Sequence, residues 1–216
     1  ILATSMEFFV LSKLAILDTA LTFFITLSIY TGITTFFCRN SRKKYFWWLF
    51  YIFSGLAVMT KGIPGFIIPF GSMFFIAIYS KKFKEILKPQ YTIPGIILFL
   101  LIILPWHILM CKLHNPLFWN EYIIKHHLAR FLGSEIIHRS EPFYFYFLVL
   151  LWGFCPWILS YTIIIVRKFV KNLKTTYENI TIKNFIHYNA IIIIFTLLFF
   201  TSSETKLITY ILPLFP

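Results

Sequence analysis

Acidic residues are scarce in this sequence: eight stand against twenty lysines and arginines in 216 residues, a formal net charge of +12. An excess of that size in a soluble protein points to nucleic acid. The distribution excludes that partner here, because the cations sit in short runs between apolar segments of membrane-spanning length. Cysteine is scarce too. Cys38, Cys111 and Cys155 form no CxxC pair and no ligand spacing, which excludes a disulfide framework and a cysteine-based zinc site. There is no repeat of 20 to 50 residues, no low-complexity tract and no stretch polar enough for a soluble domain. The sequon at Asn179 falls in a loop that its neighbours' charge assigns to the cytoplasm, so it is discounted as a glycan acceptor.

What the sequence has is apolar length. Hydrophobic residues make up 59% and charged residues 13%, with a mean hydropathy of +0.79, which places the chain in a membrane. Apolar segments lie at 14–38, 45–60, 63–79, 91–110, 143–166 and 184–201, and a further one begins at 207. The expected fold is all-α: a polytopic transmembrane bundle of six helices and a stub. Segments 45–79 are compatible with one re-entrant hairpin around "KGIPG", but two crossings are preferred. The opening "ILATSMEFFV" lacks the succession of a signal peptide, and "LITYILPLFP" stops early in an apolar run. Residues 1–216 are therefore expected to be an internal part of a longer transmembrane domain.

Orientation follows from three loops: 39–44 and 81–88, with four cations each, and 167–183 with five. They alternate in register and so face the cytoplasm. The other seven cations, Lys13, Lys61, Lys112, Lys125, Arg130, Arg139 and Lys206, fall outside, where the orientation rule disfavours them. Six of the eight acids join them: Glu7, Asp18, Glu121, Glu135, Glu141 and Glu204.

On that outer face "HNPLFWNEYIIKHHLARFLGS" reads as a helix capped by Asn115, started by Pro116 and stopped by Gly133. Helical spacing sets Leu117, Ile124, Leu128 and Phe131 against Trp119, Ile123, His126 and Arg130, an amphipathic helix suited to the membrane surface. Its His126, His127 and Arg130 are either a site or a solvated upper face. Asp18, in "LAILDTALTFF", lies about one turn inside a spanning helix, where an ionised carboxylate costs a few kcal/mol unless paired or hydrated. The alternative is a helix-start acid favoured by the N-terminal dipole. Lys61 and Lys206 each occupy a short outer turn, as snorkelling end-markers or as ligands.

The succession "LDTALTFF", "GLAVMTKGIPG", "PWHILMCKLHNPLFWNEYIIKHHLARFLG", "HRSEPFYFYFLVLLWGFCPW" and "SSETKLITYILPLFP" resembles the bacterial membrane glycosyltransferases of the aminoarabinose-transferase and protein-mannosyltransferase superfamily. The resemblance implies a GT-C fold in the bacterial inner membrane with its active site facing the periplasm. It also implies transfer of a sugar from an undecaprenyl phosphate carrier to lipid A or a protein acceptor. Lys61 matches the lysine of the family's "TKG" turn, and His127 and Arg130 match its histidine and arginine on the surface helix. Lys206 and Tyr210 match its "KLPTY" segment, where Ile208 replaces the usual proline. In the family these groups surround the donor phosphate. Asp18 resembles an acid opening an early spanning helix and is the catalytic candidate here. The family's principal catalytic acid, with a nearby arginine, lies in a first outer loop that has no counterpart in this sequence.

The chemistry calls for the same residue types. A departing polyprenyl phosphate gains negative charge, which fixed cations such as Lys61, Arg130 and Lys206 stabilise. The acceptor hydroxyl needs a carboxylate base. His126, His127 and Glu121 are candidate ligands for a divalent ion, with a spacing that fixes no geometry. Two other readings remain at this level: a transporter or flippase for an anionic lipid, and an inactive remnant that keeps the phosphate pocket.

Overall fold

The structure, a computed structural model, describes residues 2–14, 16–38, 40–114, 118, 120, 141–160, 162, 163 and 180–216. Its helices are α1 (Met6–Ser12), α2 (Leu17–Phe37), α3 (Asn40–Lys61), α4 (Ile63–Tyr79), α5 (Phe83–Ile86), α6 (Pro89–His114), α7 (Phe145–Gly153) and α8 (Ile180–Thr201). Short 3-10 helices occupy Leu2–Thr4 and Ile208–Leu214. No strand occurs among the described residues. The all-α transmembrane bundle expected from the sequence is the observed fold, and α2, α6 and the 183–201 part of α8 are each long and apolar enough to cross a membrane.

α2 is the axis of the bundle: α3 and α4 pack along it, and α6 packs on the far side of α3. Its buried face is built from small and hydroxylated residues, Thr22, Ser28, Thr31, Gly32 and Thr35, so neighbouring backbones come close. Each hydroxyl is satisfied locally. Thr22 donates to the Asp18 carbonyl at 2.8 Å, Thr31 to Leu27 at 2.9 Å and Thr35 to Gly32 at 2.6 Å, while Ser28 meets Ser54 of α3 at 2.7 Å. Hydroxyls paired this way can stay in a water-free interior.

The outer helices present one seam inward and the rest to lipid. In α6 only Tyr91, Gly95 and Phe99 are buried, and in α8 Tyr188, Ile192, Thr196 and Phe200, both at the four-residue spacing of one helical face. Their exposed sides are leucine, isoleucine and phenylalanine, which a bilayer solvates.

Segments 45–79 form two separate helices, as preferred from the sequence, with α4, at 17 residues, about 25 Å long. Three details differ from the sequence expectation. The cationic run at 40–44 belongs to the first turns of α3 instead of a loop. The segment expected to span 143–166 is interrupted, because α7 ends at Gly153 and a turn at 154–156 precedes the next helical residues. Gly153 and Pro156 are the cause, since proline supplies no N–H and disfavours helix in the residue before it. Past residue 207 the chain forms a 3-10 helix, in which Pro213 cannot donate an α-helical bond.

Candidate active site

Asp18 stands in the first turn of α2 and Lys61 in the last turn of α3, so each charge is at the helix end its sign favours. The antiparallel packing of α2 on α3 brings them together: the Lys61 ammonium donates to Asp18 Oδ1 in a partly buried ion pair. The Tyr210 ring, from the 3-10 helix at 208–214, lies under the same ammonium with its centroid 4.3 Å from Nζ. Three elements distant in sequence thus meet at one cation.

The turn after Lys61 explains how it is aimed. Gly62 has φ 70° and ψ −125°, a conformation open to glycine and strained for any other residue. Pro64 starts α4, its missing N–H being one the first turn leaves unused. Gly65 faces the α3 backbone so closely that a Cβ there would come within 2.4 Å of the Ala57 carbonyl. The reversal is therefore tight, and Lys61 is held at the mouth of the α2–α3–α4 group.

Lys206 is nearly fully buried at the same end, and its ammonium donates to the Glu141 carbonyl at 2.9 Å. Tyr210 packs on Phe200 of α8, with ring centroids 5.4 Å apart. At the opposite end of α2, about 30 Å away by helix length, Lys82 donates to the Phe36 carbonyl and Lys43 pairs with Glu85 at 3.0 Å. The cations expected on opposite membrane faces are thus at opposite ends of the bundle.

The family model of dolichyl-phosphate-mannose-protein mannosyltransferases matches residues 1–120. The chain belongs to this family. Mannosyltransferase-family relatives include the undecaprenyl phosphate-alpha-4-amino-4-deoxy-L-arabinose arabinosyl transferase 1 of Pseudomonas fluorescens, 30% identical over 199 residues, covering 91% of this chain and 34% of the relative. The transferase of the same description from Proteus mirabilis is 27% identical over 203 residues, covering 93% of this chain and 34% of its own length. The chain thus spans about a third of the curated relatives it matches. Among solved structures, ArnT from Cupriavidus metallidurans bound to undecaprenyl phosphate superposes with a TM-score of 0.80 at 19% identity, over 100% of this chain and 37% of that one. The fold of this family member is therefore that of a membrane glycosyltransferase.

Of the residues picked out by sequence in this mannosyltransferase-family chain, Lys61 meets both Asp18 and Tyr210, and Lys206 lies at the same end. His127 and Arg130, the surface helix around them, and the candidate metal ligands Glu121 and His126 lie outside the described residues. Among the described residues no three histidine, cysteine or acidic side chains are grouped to hold a metal. Sequence reasoning missed two features. It treated Asp18 and Lys61 separately, and nothing in their spacing of 43 residues announces an ion pair. It also left Glu7 among the outer acids, whereas its side chain is completely buried. The available signal was its position as a single acid inside the apolar run "MEFFVL".

Proposed function

We propose that the protein transfers a sugar from a polyprenyl phosphate, undecaprenyl phosphate being the candidate carrier, to lipid A or a protein acceptor at the periplasmic face of the bacterial inner membrane. The observation that carries this reading is the convergence of Asp18, Lys61 and Tyr210 at one end of a bundle whose fold matches ArnT. Lys61, Lys206 and Tyr210, with Arg130 and His127 as the family resemblance implies, surround the donor phosphate. As the glycosidic C–O bond breaks, negative charge builds on the leaving phosphate, and cations already fixed around it lower the barrier without reorganising.

Asp18 has two parts in this scheme. Before the donor arrives it compensates Lys61, which would otherwise be an unpaired cation at the edge of the hydrocarbon. When Lys61 turns to the phosphate, Asp18 is released to accept a proton from the acceptor hydroxyl or to orient it. The relatives' greater length fits a site completed by chain beyond these 216 residues, including a stronger base, so that this segment alone gives no turnover.

The test compares Lys61→Ala with Lys13→Ala in the full-length protein, in membranes at matched expression. Lys61→Ala should cost the transfer step about 1.5 to 3 kcal/mol, the range for a hydrogen bond to a charged group, which is roughly ten- to a hundredfold in rate. Lys13, exposed at the end of α1, should change little. Equal activities would reduce Lys61 to a helix-end marker.

A further inference from the structure

Glu7 has no solvent-exposed surface, and among the described residues neither of its carboxyl oxygens has a hydrogen-bond partner. An ionised carboxylate in such a place is among the costliest features a fold can carry. Among the described residues no cation compensates it: burial pushes its pKa from the ordinary 4.5 up to about 8.

Its surroundings connect it to the site. α1 packs on α7 and on the 208–214 helix. A Cβ added at Gly153 would lie 2.5 Å from Glu7 Oε2 and 2.7 Å from the Phe215 ring, so the carboxyl fills the notch that this glycine leaves, beside Phe215. Phe215 in turn stacks on Phe154, with centroids 4.5 Å apart and planes 13° from parallel, and Leu11 and Leu212 complete the apolar cluster. Two residues before Leu212, Tyr210 carries the ring on which Lys61 rests.

We propose that Glu7, as a neutral carboxylic acid, is a positioning residue that seats the 208–214 helix and through it the Tyr210 ring under Lys61. This rests on the reading of Lys61 and Tyr210 as donor-phosphate ligands. The titratable groups on the elements packed against Glu7 are Tyr146 of α7, Tyr210 of the 3-10 helix and Cys155 in the turn whose carbonyl accepts from the Met6 N–H at 3.0 Å. The 3-10 helix at Leu2–Thr4 carries none. Tyr146 is buried, its hydroxyl lies by the Leu207 backbone, and it is within electrostatic reach of both Glu7 and Tyr210. On Glu7's own helix the cation at the end, Lys13, lies over the Phe9 ring at 3.9 Å. None of these groups supplies a positive charge to the carboxyl. Ionisation is therefore relieved by admitting water, which means parting α1 from the 208–214 helix.

The experiment is hydrogen–deuterium exchange of a peptide covering 208–214, in the protein in lipid nanodiscs from pH 6 to 9.5, corrected for the intrinsic rate. Wild-type protection should fall above pH 8 by up to roughly tenfold per pH unit, the limit for release of one proton. Glu7→Gln, neutral at every pH, should stay flat, and Glu7→Met serves in its place if that variant folds poorly. The same pH dependence in wild type and variant, or a response confined to α1, overturns the proposal. Undecaprenyl phosphate binding, followed alongside, should weaken with the same midpoint in wild type and not in Glu7→Gln. If Lys61→Ala binds undecaprenyl phosphate as wild type does, the donor-phosphate reading fails while the exchange result still decides the role of Glu7.

Discussion

The Lys61 ammonium lies 4.3 Å from the centre of the Tyr210 ring while it donates to Asp18, so one cation is shared between a carboxylate and an aromatic face. A lysine held in this way keeps its charge at the mouth of the bundle without being fixed by either partner alone, and a phosphate entering there competes with one weak contact and one strong one.

Tyr210 separates the two contributions. Tyr210→Phe keeps the ring and should leave donor binding within about threefold, whereas Tyr210→Leu should weaken it by about 0.5 to 2 kcal/mol, the value of a cation–π contact. Equilibrium binding of undecaprenyl phosphate by the two variants decides whether the ring or the hydroxyl matters.

The ion pair should behave as a unit. Asp18→Ala leaves Lys61 uncompensated and should lower unfolding stability by about 1.5 to 3 kcal/mol, while adding Lys61→Ala should restore part of that loss. A double-mutant cycle by thermal or denaturant unfolding measures the coupling, and simple additivity would show that the two charges act independently.

Gly62 should tolerate no side chain. At φ 70° and ψ −125°, Gly62→Ala costs on the order of 1 to 3 kcal/mol of backbone strain and redirects Lys61. A lowered melting temperature together with reduced donor binding is expected; a loss of stability with binding intact would show that the turn does not aim the lysine.

At the other end of the bundle the Lys43 ammonium holds the Glu85 carboxyl below its ordinary 4.5. A carboxyl with a lowered folded-state pKa contributes stability that is present above pH 4.5 and lost as pH falls through the lowered value. Glu85 is one-third exposed, so the contribution is at most about 1 kcal/mol. Melting temperatures of wild type and Glu85→Gln should therefore differ at pH 7 and converge toward pH 3.

Topology has its own check. Cysteines replacing Lys13 and Lys84, both exposed and near opposite ends of the bundle, should respond oppositely to an impermeant thiol reagent in intact cells. Labelling at 84 from outside would reverse the orientation and place the Lys61 site in the cytoplasm.

By itself the sequence determined the helical membrane architecture, because apolar length and cation-rich connections are local properties that a bilayer reads directly. It determined the Lys61 turn as well, since Gly62, Pro64 and Gly65 restrict the backbone wherever they occur. It located the end of the bundle that gathers Asp18, Lys61, Lys206 and Tyr210. Only the tertiary structure decided that Asp18 compensates Lys61, that Tyr210 lies beneath it, that α7 stops at Gly153, and that Glu7 is fully buried. Pairing and burial depend on which faces of helices far apart in sequence come into contact. Helices that are apolar on nearly every side carry little local pattern to say which face turns inward, so packing of small residues and hydroxyls makes that choice.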